Sequence, residues 1–135
     1  MNTLAEREIQ RSKLVHQVTL YGLLEPGWDG ENSSPPPAEA VDGALSFIRL
    51  IPSDLPLPVP MLTPSGRYVG LYWDRPTAFI DVEIYQTGAV SILVVNKKDT
   101  TLDRWIEAAT LTDVTPEFFS LHFSGLKEEN AHAND

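Results

Sequence analysis

The chain contains no cysteine. That single absence removes disulfides, thiolate metal sites, thiol nucleophiles and iron–sulfur ligation together. Basic residues are scarce as well: ten Lys and Arg stand against nineteen Asp and Glu, for a formal net charge of -9. A surface of that sign repels phosphates at long range and argues against direct nucleic-acid binding led by phosphate contacts. It suits a basic protein partner instead, including the phosphate groove of a nuclease or another nucleic-acid-handling protein, although solubility is the plainer account of the same charge. No apolar run approaches the length of a membrane span, and residues 1–13 lack the basic head and apolar core of a signal peptide. The expected location is therefore cytoplasmic, with no membrane partner.

Catalytic parts are thin too. The three histidines, His16, His122 and His132, form no HxH, HExxH or HxxxH pair, and zinc needs more partners than they supply. There is no Gly-x-Ser-x-Gly, no Walker loop and no dinucleotide fingerprint, because the glycines stand alone. On these grounds no catalytic residue, metal or cofactor is expected.

What the chain does have is enough apolar material for one core: 42% hydrophobic residues and, from 3 Trp, 4 Tyr and 5 Phe, a dozen aromatics in 135 residues. A single α+β domain over 1–126 is expected, followed by a mobile polar tail over 127–135. Leu4, Ile9, Leu14, Val15, Val18, Tyr21 and Leu24 fall near helical spacing, so a first amphipathic helix is predicted over 4–24, best packed in its second half and stopped by Pro26 and Gly27. A loop then leads to Pro35, Pro36 and Pro37. Ser33 or Ser34 is the predicted cap of a second helix, with the prolines in its first turn and Val41, Ala44, Leu45 and Ile48 on one face. Pro52 ends it. Prolines 52, 56, 58, 60 and 64 predict an extended, polyproline-like connector that cannot be a central strand.

From Arg67 the hydrophobic period becomes two, predicting an antiparallel meander of Arg67–Asp74, Thr77–Tyr85 and Ala89–Asn96. Val69, Leu71, Trp73, Ile80, Val82, Ile84, Val90, Ile92 and Val94 take one face. Tyr68, Gly70, Tyr72, Phe79, Asp81, Glu83, Tyr85, Ser91, Leu93 and Val95 take the other. Residues 102–111 suit either a fourth strand or a short helix. Thr115-Pro116-Glu117 starts a last helix whose apolar face is expected to hold Phe118, Phe119, Leu121 and Phe123, with Gly125 as its stop. The predicted fold is thus two N-terminal helices and a C-terminal helix packed on a three- or four-stranded antiparallel meander.

Two features ask for a functional account. The first is the run Gly27-Trp28-Asp29-Gly30 ahead of the second helix, in which Trp28 can cover one end of the sheet while Asp29 accepts loop amides, or in which an exposed Trp28 anchors a partner. With Gly66 before the first strand, this loop resembles that of an uncharacterised group of small bacterial proteins, over roughly residues 24–95. In that group a Trp-Asp-Gly loop precedes a proline, a short helix, a proline-rich link and a strand meander; the resemblance implies a fold but no activity. The second feature is the face carrying Tyr68, Tyr72, Asp81, Glu83 and Tyr85. Carboxylates two apart on a strand emerge together about 7 Å apart, which suits a wet sheet face, an acid–base pair or a cation site.

The leading expectation is a non-enzymatic, acidic protein-interaction domain such as an antitoxin, an immunity protein or an inhibitor of a defence or nucleic-acid-handling enzyme. Its interaction residues would be Trp28, Asp29, Tyr68, Tyr72, Asp81, Glu83 and Tyr85, its partner another protein of basic character, and self-association into a homodimer a variant of the same idea. The alternatives are a small hydrolase or carbohydrate-binding enzyme using Asp81 and Glu83, and a structural accessory subunit.

Overall fold

In the structure, a computed structural model, residues 4–108 and 110–127 are described. The predicted tail therefore lies outside the described residues except for Lys127, whose ammonium is ion-paired with Asp54 at 2.8 Å. His132 lies outside them too.

Helix α1, Leu4–Tyr21, buries Leu14 and Val18, one turn apart, while Leu4 and Ile9 stay exposed. Its first half is held by charge rather than by apolar contact. Buried Arg7 donates from Nη2 to the Pro52 carbonyl at 3.0 Å, and Arg11 donates to the Ile51 carbonyl at 3.1 Å. These carbonyls lie just past the end of α2, Ala38–Leu50, where helical partners run out, so two guanidiniums satisfy what the backbone leaves open. Helix α1 itself ends in tight turns from Gly22, Leu23 and Leu24 back to Thr19, Leu20 and Tyr21.

Helix α2 starts later than predicted and without a serine cap: Pro37 is its N-cap and makes no side-chain cap bond. Ser34, Pro35 and Pro36 each precede a proline and are thereby pushed out of the helical region, so the helix can open only after the last proline. Its buried side, Ala40, Val41, Ala44, Phe47 and Ile48, presses onto the sheet. At Gly43 the approach is so close that a Cβ there would sit 2.7 Å from Ile84 Cγ2.

The sheet is an antiparallel meander of five strands in sequence order: β1 Val59–Leu62, β2 Tyr68–Asp74, β3 Ala78–Tyr85, β4 Val90–Asn96 and β5 Arg104–Ala108. It extends the predicted sheet at both sides. Residues 104–108 are strand rather than helix, and part of the proline-rich connector pairs as an edge, Val59 opposite Tyr72 and Leu62 opposite Val69. Proline is tolerated there because an edge strand does not need every N–H for its ladder. All nine residues of the predicted inward face are buried.

Helix α3, Pro116–His122, is capped by Thr115, whose side chain accepts from the Phe118 N–H. Phe119 and Phe123, four apart, are buried, but Leu121 is 64% exposed, a correction to its predicted place on the apolar face. At about 100° per residue Leu121 points well away from the Phe119–Phe123 stripe. Nor does Gly125 stop the chain's helical course, because a further helical turn covers residues 124–127. The rings of Phe47 and Phe119 lie 5.6 Å apart and those of Trp73 and Phe123 5.3 Å apart. Those contacts put α3 on the same side of the sheet as α2, and one buried cluster joins the helices to the inward face.

Candidate functional site

With the helices on one side, the other side of the sheet carries its own row of residues. Cross-strand partners share a face, so the register Val59–Tyr72–Asp81–Leu93–Trp105 forms one continuous line across all five strands. The next line is Met61–Gly70–Glu83–Ser91–Glu107. Tyr68 pairs with Tyr85 beyond it, and Phe79 with Val95 on the opposite side. Five of the predicted interaction residues, Tyr68, Tyr72, Asp81, Glu83 and Tyr85, therefore share one surface, each of them half-buried. Two edge residues outside the predicted interaction set extend it: Val59 is 49% and Trp105 55% exposed. The alternation of Trp105 and Glu107 around Ile106 was the available signal for the second.

The surface is aromatic around an acidic centre. Tyr68 and Tyr85 meet with ring centroids 5.4 Å apart, and Tyr72 stacks on Phe79 at 6.3 Å. Tyr85 donates its hydroxyl to Glu83 Oε1 at 2.6 Å, and this bond, more than burial, pushes the phenol up to about 12. Burial raises the Tyr68 phenol, with the charge of Glu83 adding to it. Burial also raises the carboxyl of Asp81, and Glu83 adds like-charge repulsion. Asp81 Oδ1 is buried with no hydrogen-bond partner among the described residues. One oxygen of this half-buried carboxylate thus lacks a donor, and a cationic group brought to the face would offset the charge that burial disfavours.

Trp28 and Asp29 belong to a different place. The Trp28 indole donates to the Ser34 carbonyl at 2.8 Å, and Asp29 Oδ1 accepts from the Glu31 N–H at 2.9 Å. Ser33, buried, accepts from the Asp29 N–H through its hydroxyl and from the Gly27 N–H through its carbonyl. Hydrogen bonding with Ser33 and with the Glu31 amide holds the exposed Asp29 carboxyl below its usual range. The loop docks on the β1–β2 connection: Ser34 donates to the Pro64 carbonyl, and Gly66, at φ +64°, leaves only 2.6 Å between a would-be Cβ and the Ser34 oxygen. No hydrogen bond, ion pair or ring contact joins Trp28 or Asp29 to the tyrosine face among the described residues. Both side chains are occupied in holding the loop.

His16 is exposed on α1 and His122 half-buried on α3. Among the described residues no group of three or more His, Asp or Glu is placed to hold a metal ion, and no helix is long and apolar enough to cross a membrane. Compared with known proteins, the chain matches no family model, no curated protein and no solved structure.

Proposed function

We propose that the chain is a non-enzymatic protein-interaction domain of the cytoplasm whose outer sheet face takes a basic partner, in the manner of an antitoxin, an immunity protein or an inhibitor of a defence or nucleic-acid-handling enzyme. One observation carries this reading: the helical layer lies on one side of the sheet, and the aromatic ring around Asp81 and Glu83 on the other is covered by no helix among the described residues. Tyrosine and tryptophan supply large, rigid contact area with a polar tip, the composition of interface anchors. The carboxylates at the centre ask for Lys or Arg, since a partner's cation relieves the Asp81–Glu83 repulsion on docking. A net charge of -9 steers such a partner toward the domain. A second copy would bring the same acidic centre to the same face, so self-association through this surface is opposed. A permanent accessory subunit would use the same face and differ only in the lifetime of the complex.

The test is affinity capture from the producing cell, with wild type run beside Asp81→Lys, a Tyr72→Ala/Trp105→Ala double variant, and a control altered on α1 at Glu8 and Gln17. A stoichiometric basic protein held by wild type and control and lost from both face variants is expected. A partner that all four retain, or a folded monomer that captures nothing, refutes the reading. Hydrolytic activity abolished by Asp81→Asn would put the carboxylate pair to chemical use instead.

A further inference from the structure

At one end of the sheet a cleft of about 450 Å³ opens where the start of β3, the end of β4 and the start of β5 meet the end of α3. We infer that this cleft binds a small organic carboxylate with an apolar tail, through Arg104 and His122. The inference does not rest on the outer-face reading, because Arg104 stands opposite Val94, a residue of the inward face, and so leaves the sheet on the helix side.

Charge sets the cleft apart from the rest of the molecule. In a chain of net charge -9, Lys98, Arg104 and His122 converge on one lining. The ion pairs formed among the described residues use neither Lys98 nor Arg104. Asp103, the acidic residue of the lining, already accepts the Asn96 N–H through Oδ1 at 2.8 Å. Lys98 and Arg104 against Asp103 leave the lining with one net positive charge, which suits a monoanion. Arginine's planar fork matches a carboxylate with two parallel hydrogen bonds.

His122 supplies the second contact. Its ring packs edge-on against Phe118 at 4.6 Å, with Nδ1 buried and unpartnered among the described residues, so Nε2 is the nitrogen available to a ligand. Burial, helped by the charge of Arg104, keeps the imidazole neutral at neutral pH, and an anion between the two relieves the second effect. The remaining walls are hydrocarbon: Ile80 and Val94 at the floor, Leu102 and Leu121 at the rim, where they are 54% and 64% exposed. Two leucines left open beside a lone guanidinium are an arrangement for an amphiphile rather than a bare ion. The volume falls within the roughly 300–1,000 Å³ of small-molecule sites.

The probe is hexanoate, followed by NMR of the His122 ring in the full chain, with the signal assigned by its loss in His122→Asn. Hexanoate is expected to raise the His122 titration midpoint. Arg104→Gln, at an exposed position that leaves the fold intact, weakens binding about tenfold or more, the loss of one charge-assisted contact. The same variant raises the His122 midpoint without ligand, and Leu121→Ser weakens hexanoate while leaving that midpoint alone. Hexan-1-ol binding as tightly as hexanoate would make the site merely apolar, and inorganic phosphate binding as tightly would make it a plain anion site; either overturns the inference. So does a His122 signal that hexanoate never moves.

Discussion

Replacing Asp81 by Asn should make the protein more stable, and only at pH values where the carboxyl of the wild type is ionised. Carboxylates on alternate residues of one strand face lie about 7 Å apart. Like charges at that distance repel by about 0.6 kcal/mol in water and about 2.4 kcal/mol at an effective dielectric of about 20. Asp81 is half-buried, so solvent screening keeps the figure in the lower part of that range, about 1 kcal/mol. The sign follows from the direction of the shift. Burial, then Glu83, raise the folded pKa above the unfolded one, so the native state holds this proton more tightly. The favourable share is fully present below the ordinary aspartate value and is lost as the pH rises through the raised folded value. Asparagine removes that loss. In urea, with an m-value of about 1.5 kcal/mol/M for a domain of this size, the midpoint of Asp81→Asn moves up by about 0.7 M at neutral pH and coincides with wild type in acid. Glu83→Gln gains less, because Tyr85 then donates to a neutral acceptor. A midpoint that falls at neutral pH, or a gain that persists unchanged in acid, refutes the account of Asp81 as a charge held against the interest of the fold.

Three further outcomes follow from particular contacts. Ultraviolet titration should find one phenol with a midpoint at about 12, Tyr85, which returns toward 10 in Glu83→Gln; the stability tied to it is present below the ordinary phenol value and fades as the pH rises through about 12. Gly66→Ala forces a left-handed residue against the Ser34 and Pro35 carbonyls and should cost about 2–4 kcal/mol in urea unfolding, a sum of backbone strain and displaced loop hydrogen bonds. Phe123→Ala should cost about 3–5 kcal/mol, whereas Leu121→Ala stays within about 0.5 kcal/mol, and equal losses at the two positions would show that α3 packs on a different stripe.

The centre of this fold was legible because alternation is a strong code. Within each of β2, β3 and β4 a residue's parity names its face, and all nine inward residues are buried. Short edges carry a weaker code. Arg104–Ala108 has five residues, too few to separate a period of two from one of 3.6, and Pro58 and Pro60 mask a strand that tolerates them only because it lies at an edge. The serine cap was misread because a run of prolines looks like a helix start until each residue ahead of a proline is counted as extended. Arg7 and Arg11 reach carbonyls 45 and 40 residues along the chain, and no local pattern reports such a contact. For the site, the tyrosines and carboxylates were readable from parity alone. That the last helix would join its predecessors and leave the tyrosines open was not, since the side it takes depends on packing rather than on its own sequence.

The two margins of the sheet are unlike. At β1 the chain offers Pro60, which has no hydrogen to donate, and α1 lies against the strand. At β5 it offers Arg-Trp-Ile-Glu-Ala with no proline. A ribbon that can be lengthened on one border alone has only one way to accept another strand, and two such ribbons joined border to border consume the sole opening each possesses. Strand addition at the β5 border therefore leads to a closed pair, while Pro60 works against a second ladder at β1.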